Sequence, residues 1–285
     1  MSEDPILSNP PALPVGLYIV ATPLGHARDI TLRALDVLRT ADLIFCEDTR
    51  VTSKLMKIYG LKATLRACHE HNESHIAEEA IVRLSQGRAV VLVSDAGTPL
   101  ISDPGFRMVK SVRDAGYNVF PVPGASSPIA ALSVSGLPSD RFTFMGFLPS
   151  KMIARRKALA ALAPDMGTLI LFESPRRLPA LLLDLNERFG DCPTVVAREM
   201  TKKFEEIRHG TPLELAEYFS QKEVKGECVV LISLARAVEA APEDIEYALK
   251  QAMEKMSLRD AAQFIADSFE LPRKQIYALA IKLQD

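Results

Sequence analysis

Short, nearly continuous apolar runs, separated by longer amphipathic stretches, constrain this chain more than any other feature. The runs lie at Gly16–Ala21, Asp42–Cys46, Ala89–Val93, Asn118–Val122, Arg141–Gly146, Thr168–Phe172, Thr194–Ala197 and Cys228–Leu234. A strand covered on both faces is apolar at every position, whereas a half-exposed one alternates. Between the runs the spacing becomes helical. Leu32, Leu35 and Leu38 share one side of Thr31–Arg39, and Leu178, Leu181, Leu182 and Leu185 mark one face of a second helix. Asp29 or Thr31 is placed to cap the first of these. This alternation predicts an α/β fold with largely parallel sheets flanked by helices.

At 285 residues the chain exceeds the usual size of one domain, so two α/β domains are expected. The Pro/Gly/Ser-rich stretch 121–128 and the turn 136–140 punctuate the middle. The boundaries drawn are a flexible N-terminal tail over 1–15, an N-terminal α/β domain over 16–124, a C-terminal α/β domain over 125–236 and a helical tail over 237–285. The tail reads as short helices. Ser257 with Asp260 resembles a capping box, and Leu271-Pro272 breaks the pattern before Ile276, Leu279 and Ile281. Two helices about a short turn have the outline of a helix-turn-helix, although most such pairs are simply packed.

Composition excludes several classes. Hydrophobic residues make up 48% and charged residues 25%, which is ordinary globular material. A net charge of −2 provides no global attraction to nucleic acid and leaves only local basic patches. The acidic, Pro-rich start lacks the basic and apolar regions of a signal peptide, and no apolar run approaches a membrane span. Cys46, Cys68, Cys192 and Cys228 form no CxxC pair, so a cytoplasmic protein with reduced thiols is expected. His69, His71 and His75 match no zinc spacing, and no Ser-His-Asp or Cys-His order is present. Neither a metal nor a covalent nucleophile is expected.

In α/β sheets ligands gather beyond the carboxyl ends of strands, and four loops there carry candidates. Ala21–Gly25 is a small-residue turn that lets a ligand approach the backbone, or an ordinary strand-to-helix turn. Glu47-Asp48-Thr49-Arg50 reads equally as a charged site or as a helix start capped by Asp48 or Thr49 with Arg50 solvated. Ser94–Phe106 is long, with carboxylates, glycines and prolines that make it stiff, and its Leu100-Ile101 pair needs a partner surface. Pro123–Pro128 offers hydroxyls and free amides at the expected domain boundary. Further on, Arg155-Arg156-Lys157, Glu173–Arg177, Arg198–Lys203 and Lys225–Glu227 form either a positive strip or solvated faces.

Taken in order, ATPLG (Ala21–Gly25), EDTR (Glu47–Arg50), HEHNE (His69–Glu73), SDAGTPLISDPG (Ser94–Gly105), GLPSDRF (Gly136–Phe142), GFLP (Gly146–Pro149), ESPRRL (Glu173–Leu178) and GE (Gly226–Glu227) resemble the ribosomal RNA small subunit methyltransferase I family. That family is a branch of the tetrapyrrole methylases. The resemblance covers roughly Gly16 to Leu234 and extends more loosely into the tail. It implies a two-domain methyltransferase, a homodimer with S-adenosyl-L-methionine in the interdomain cleft. The reaction it implies is 2′-O-methylation of a cytidine ribose in the decoding region of 16S rRNA, within the 30S subunit. The cofactor positions it implies are Leu24, Asp95, Thr98, Ile101, Ser126, Ser127, Phe172, Met200 and Glu227. Thr98 stands where the tetrapyrrole and diphthine branches carry Asp, and His26 stands where this family usually has Asn.

Methyl transfer from a sulfonium needs positioning, desolvation and a proton acceptor. The candidate bases are Asp48, Asp95 and Glu199, with Arg50 or Lys202 as electrostatic help. Arg155, Arg156, Lys157, Arg176 and Lys203 are the candidate phosphate contacts. The competing readings are a tetrapyrrole C-methyltransferase on the same fold and a non-enzymatic RNA-binding assembly factor.

Overall fold

A computed structural model describes residues 12–69, 72–163, 166–221, 226–234, 242–269 and 271–283. Most of the expected N-terminal tail (1–11) and Glu70, His71 and Lys225 lie outside the described residues. The chain divides into two compact units, Met1–Leu234 and Ala235–Asp285.

The first unit holds two five-stranded sheets. In the first, β1 (Gly16–Val20), β2 (Leu43–Cys46), β3 (Leu65–Ala67), β4 (Ala89–Val93) and β5 (Val119–Val122) run parallel in the order β3-β2-β4-β1-β5. Alternate residues of each strand serve opposite faces. Val20, Ile44, Cys46, Val91 and Val93 pack under α1 (Leu32–Thr40) and α2 (Thr49–Ile58) through Val37, Leu38 and Met56. Leu17, Leu43, Phe45, Val90 and Leu92 pack under α3 (Glu73–Ser85) and α4 (Phe106–Asp114) through Ile76, Ala80, Met108 and Val112. Both faces are therefore apolar, and each fully buried side chain of this size contributes about 1.5–3 kcal/mol. β1 and β4 are neighbours whose following helices leave to opposite faces, which opens a crevice beyond their carboxyl ends.

α5 (Ser127–Ser135) leads out of this sheet and packs Ala131 and Leu132 onto the second one. That sheet comprises β6 (Phe142–Phe147), β7 (Thr168–Glu173), β8 (Thr194–Arg198), β9 (Glu206–Gly210) and β10 (Cys228–Ser233), in the order β6-β7-β10-β8-β9. Its other face is covered by α7 (Leu178–Phe189) and α8 (Pro212–Ser220), with α6 (Met152–Ala160) alongside. Only β6 and β7 are parallel; the other pairs are antiparallel. The first sheet meets the expectation of parallel strands, and the second departs from it. The connection from β8 to β9 is too short to hold a crossover helix, and β10 returns between β7 and β8.

In the second unit, α9 (Pro242–Met253), α10 (Leu258–Ser268) and α11 (Arg273–Lys282) share a core that includes Leu249, Ala262, Ile265 and Ile276. Ser257 caps α10, its hydroxyl accepting from Asp260 N at 3.3 Å. The four cysteines are free, and burial pushes the Cys68 and Cys228 thiols up to about 12, so neither is a ready nucleophile. Among the described residues no helix is long and apolar enough to cross a membrane.

Candidate active site

The loops at the crevice are tied together by hydrogen bonds between residues far apart in sequence. After β1, Thr22 N donates to Gly97 O at 2.8 Å, and Gly97 N donates back to Thr22 O at 3.0 Å. Thr98 Oγ1 donates to Ala125 O at 2.9 Å, fastening the loop after β4 to the turn after β5. Asp48 N, after β2, donates to Asp95 Oδ1 at 3.0 Å. Just beyond these anchors Leu100 and Ser102 adopt φ of 73° and 68°. Left-handed non-glycine residues cost about 1–3 kcal/mol each and persist only where the surroundings over-determine them.

The second sheet supplies the facing loop, after β8. Glu199 and Thr201 have φ of 51° and 63°, so every positive-φ non-glycine among the described residues belongs to these two loops. Lys202 Nζ lies 2.9 Å from Glu199 Oε1 and 3.6 Å from Glu227 Oε2. His26 N donates to Thr201 Oγ1 at 3.1 Å, and a Cβ on Gly25 would sit 2.3 Å from Lys202 Cγ. Glycine is required there because the two loops touch. The His26 ring caps a short turn by accepting from Arg28 N at 3.2 Å.

The loops enclose a cleft of about 370 Å³. Leu24, Asp95, Thr98, Ile101, Ser126, Ser127, Phe172, Met200 and Glu227 all line it, together with Glu199 and Lys202. Glu47, Ser102, Asp103, Phe147 and Glu173 line it as well, and the sequence reading did not single these out as site residues. All five lie inside the motifs that carry the family resemblance, which is the signal that could have found them. Phe147 meets Phe172 edge-on with ring centroids 5.5 Å apart.

Asp48 and Arg50 stand one hydrogen bond behind this wall. Their side chains form a two-point ion pair (3.0 and 2.6 Å), and Asp48 Oδ1 caps α2 by accepting from Arg50 N at 2.8 Å. Hydrogen bonds from Arg50 hold the Asp48 carboxyl down at about 2, which makes it a poor proton acceptor. The opposite holds in the cleft. Burial, then the charge of Glu47, pushes Asp103 up to about 6 against the opposing Ser94 hydroxyl. Burial likewise raises Glu47 and Asp95, helped by neighbouring carboxylates. Burial works against the Lys202 charge, but Glu199 and Glu227 outweigh it and hold the ammonium above its usual value.

Residues 16–216 match the family described as Tetrapyrrole (Corrin/Porphyrin) Methylases, and residues 239–284 match the RsmI C-terminal HTH domain. The ribosomal RNA small subunit methyltransferase I of Mesorhizobium japonicum is 44% identical, covering 96% of this chain and 95% of that one. Its counterpart from Xylella fastidiosa is 46% identical, covering 93% and 98%. The chain belongs to the ribosomal RNA small subunit methyltransferase I family. The fold is also that of a solved uroporphyrin-III C-methyltransferase from Thermus thermophilus, complexed with S-adenosylhomocysteine. The TM-score is 0.53 at 20% identity, covering 76% of this chain and 97% of that one.

For a methyltransferase of this family the basic residues sort themselves by environment. Arg155 is 4% exposed, and its guanidinium lies 2.6 Å from Asp184, so it is a core ion pair and not a phosphate contact. Arg156 is exposed but pinned to Asp184 at 2.7 Å and to Glu187 at 2.7 Å. Lys157, Arg176 and Lys203 face solvent, whereas Arg177 is turned inward to Glu173 at 2.9 Å. His75 is exposed beside Glu78, and among the described residues no three potential metal ligands cluster.

Proposed function

We propose that the chain transfers a methyl group from S-adenosyl-L-methionine to the ribose 2′-oxygen of a cytidine in the decoding region of 16S rRNA. The observation that carries this reading is the single cleft in which every position matched to the family's cofactor contacts meets. Its wall suits the donor. Leu24, Ile101, Phe147, Phe172 and Met200 present apolar surface for a flat base, and Asp95, Asp103 and Glu227 present negative charge for a sulfonium. The donor supplies a methyl group already activated by its positive sulfur. The chain's own residues position the acceptor, exclude water and take its proton. A carboxylate tuned towards neutrality accepts a proton best at working pH, which favours Asp103 and Asp95 over Asp48. Lys202 is placed to favour negative charge building on the acceptor oxygen.

In this reading 16–124 and 125–236 are the lobes about the cleft, and 237–285 contacts RNA. Arg273, Lys274 and Lys282 are exposed on α11, the last of the three helices within the matched helix-turn-helix domain. The protein acts as a cytoplasmic homodimer on the 30S subunit. The test is transfer of label from S-adenosyl-L-methionine to 30S subunits and to naked 16S rRNA from a strain lacking the modification. Label at the 2′-oxygen of one cytidine supports the reading. No label in either substrate overturns it, and label on a base corrects the target atom.

A further inference from the structure

We infer that Glu73 is the positioning residue of the donor cleft, its carboxylate holding the far end of loop 94–105 so that Ile101, Ser102 and Asp103 stay in the wall. The inference rests on the proposed reading of that cleft as the S-adenosyl-L-methionine site. Glu73 is 4% exposed at the start of α3. Its Oε1 accepts from Gly105 N at 3.1 Å, Arg107 N at 2.6 Å and Met108 N at 3.1 Å. These amides, at the cap and first turn of α4, have no partner within the helix, and the residue at the cap, Gly105, has no side chain to satisfy them. A carboxylate from another helix therefore supplies the cap that α4 lacks, where the helix dipole favours negative charge.

His69, Asn72 and Glu73 of the HEHNE run thereby gain a purpose that metal binding does not provide. Asn72 Oδ1 accepts from His69 N at 2.8 Å and Asn72 Nδ2 donates to Ala67 O at 3.0 Å, winding the chain after β3 so that Glu73 meets α4. At the near end of the segment, Thr98 Oγ1 holds Ala125 O. The left-handed residues Leu100 and Ser102 lie between these two anchors. A strained segment relaxes when one end is released, so removing Glu73 displaces the cleft wall as well as loosening a helix.

The test measures S-adenosylhomocysteine binding to the full chain by calorimetry, with KM and kcat for methyl transfer to 30S subunits. Glu73→Ala is expected to weaken binding and raise the donor KM by about tenfold or more, with a fall in kcat beside it because Asp103 moves with the wall. Glu73→Gln keeps an acceptor oxygen at the same reach and should restore binding to within about threefold of the parent. Where the alanine variant does not fold, Glu73→Asp replaces it; one methylene shorter, it should bind about tenfold more weakly than the glutamine variant. Parent-like binding by the alanine or aspartate variant overturns the inference. So does a glutamine variant as weak as alanine, or a loss confined to kcat. An unmutated chain that binds no S-adenosylhomocysteine overturns both this inference and the proposed function, whereas binding unaffected by the variants overturns the inference alone.

Discussion

Asp95 and Asp48 come from loops after different strands, yet Asp48 N donates to Asp95 Oδ1 at 3.0 Å. The bond aims the Asp95 carboxylate along the cleft wall and leaves the Asp48 carboxylate to Arg50. Asp95→Asn keeps an acceptor for that N–H and removes the charge, whereas Asp95→Ala removes both. The asparagine variant should bind S-adenosyl-L-methionine several-fold more weakly and the alanine variant about tenfold or more. Titration calorimetry reads both, and unchanged affinity in the alanine variant would take Asp95 out of the site.

A pH dependence follows from Asp103, whose carboxyl is pushed up to about 6 by burial and by Glu47. Deprotonation above that point adds negative charge to the cleft, so sulfonium affinity should rise between about pH 5 and 7. S-adenosylhomocysteine, neutral at sulfur, should show a flatter profile. Stability of the empty protein moves the other way. The native state holds this proton more tightly than the unfolded chain, so the contribution is complete below the ordinary carboxylate range and is lost as pH rises through about 6. Asp103→Asn should flatten both profiles, and a binding profile that keeps its slope in that variant would assign the titration to another group.

The loop after β8 depends on a missing side chain. Gly226 has φ of 89°, and a Cβ there would fall 1.9 Å from Glu199 Oε1. Gly226→Ala must therefore strain the backbone and push Glu199 off Lys202. The strain costs about 1–3 kcal/mol, a fall in Tm of several degrees for a domain of this size. Calorimetry should show that fall together with a loss of methyl transfer. Parent-like values for both would mean that the loop can shift without cost.

What the sequence discloses depends on how local the cause is. β4 is legible to the residue because both its faces are buried and every position is apolar. β3 and β9 are not, since an edge strand has one neighbour and tolerates polar residues such as Arg66, Glu206 and Arg208. The antiparallel direction in the second sheet is hidden for another reason, because an apolar run carries no sign of its direction. The cleft-lining positions were readable as motifs after strand ends. The grip of Glu73 on Gly105 joins residues 32 apart and leaves no local pattern. Arg155 reads as one of a basic run because Asp184, which buries its charge, is 29 residues away.

That difference between neighbouring arginines and lysines gives the last expectation. Asp184 has 2% side-chain exposure, so Arg155→Ala leaves a buried carboxylate short of a partner, a change that costs about 3–5 kcal/mol when no other partner remains. Arg156, still 2.7 Å from Asp184, should hold the loss towards the lower end. Arg176 and Lys203 are exposed and should behave differently. Their alanine variants should keep the parent Tm, weaken rRNA binding, and each lower the slope of log affinity against log salt by about one. Thermal unfolding and filter binding over a salt series separate the two classes. Weakened RNA binding at an unchanged Tm in Arg155→Ala would contradict the ion-pair role, because a guanidinium in the core can reach a phosphate only by leaving Asp184 uncompensated.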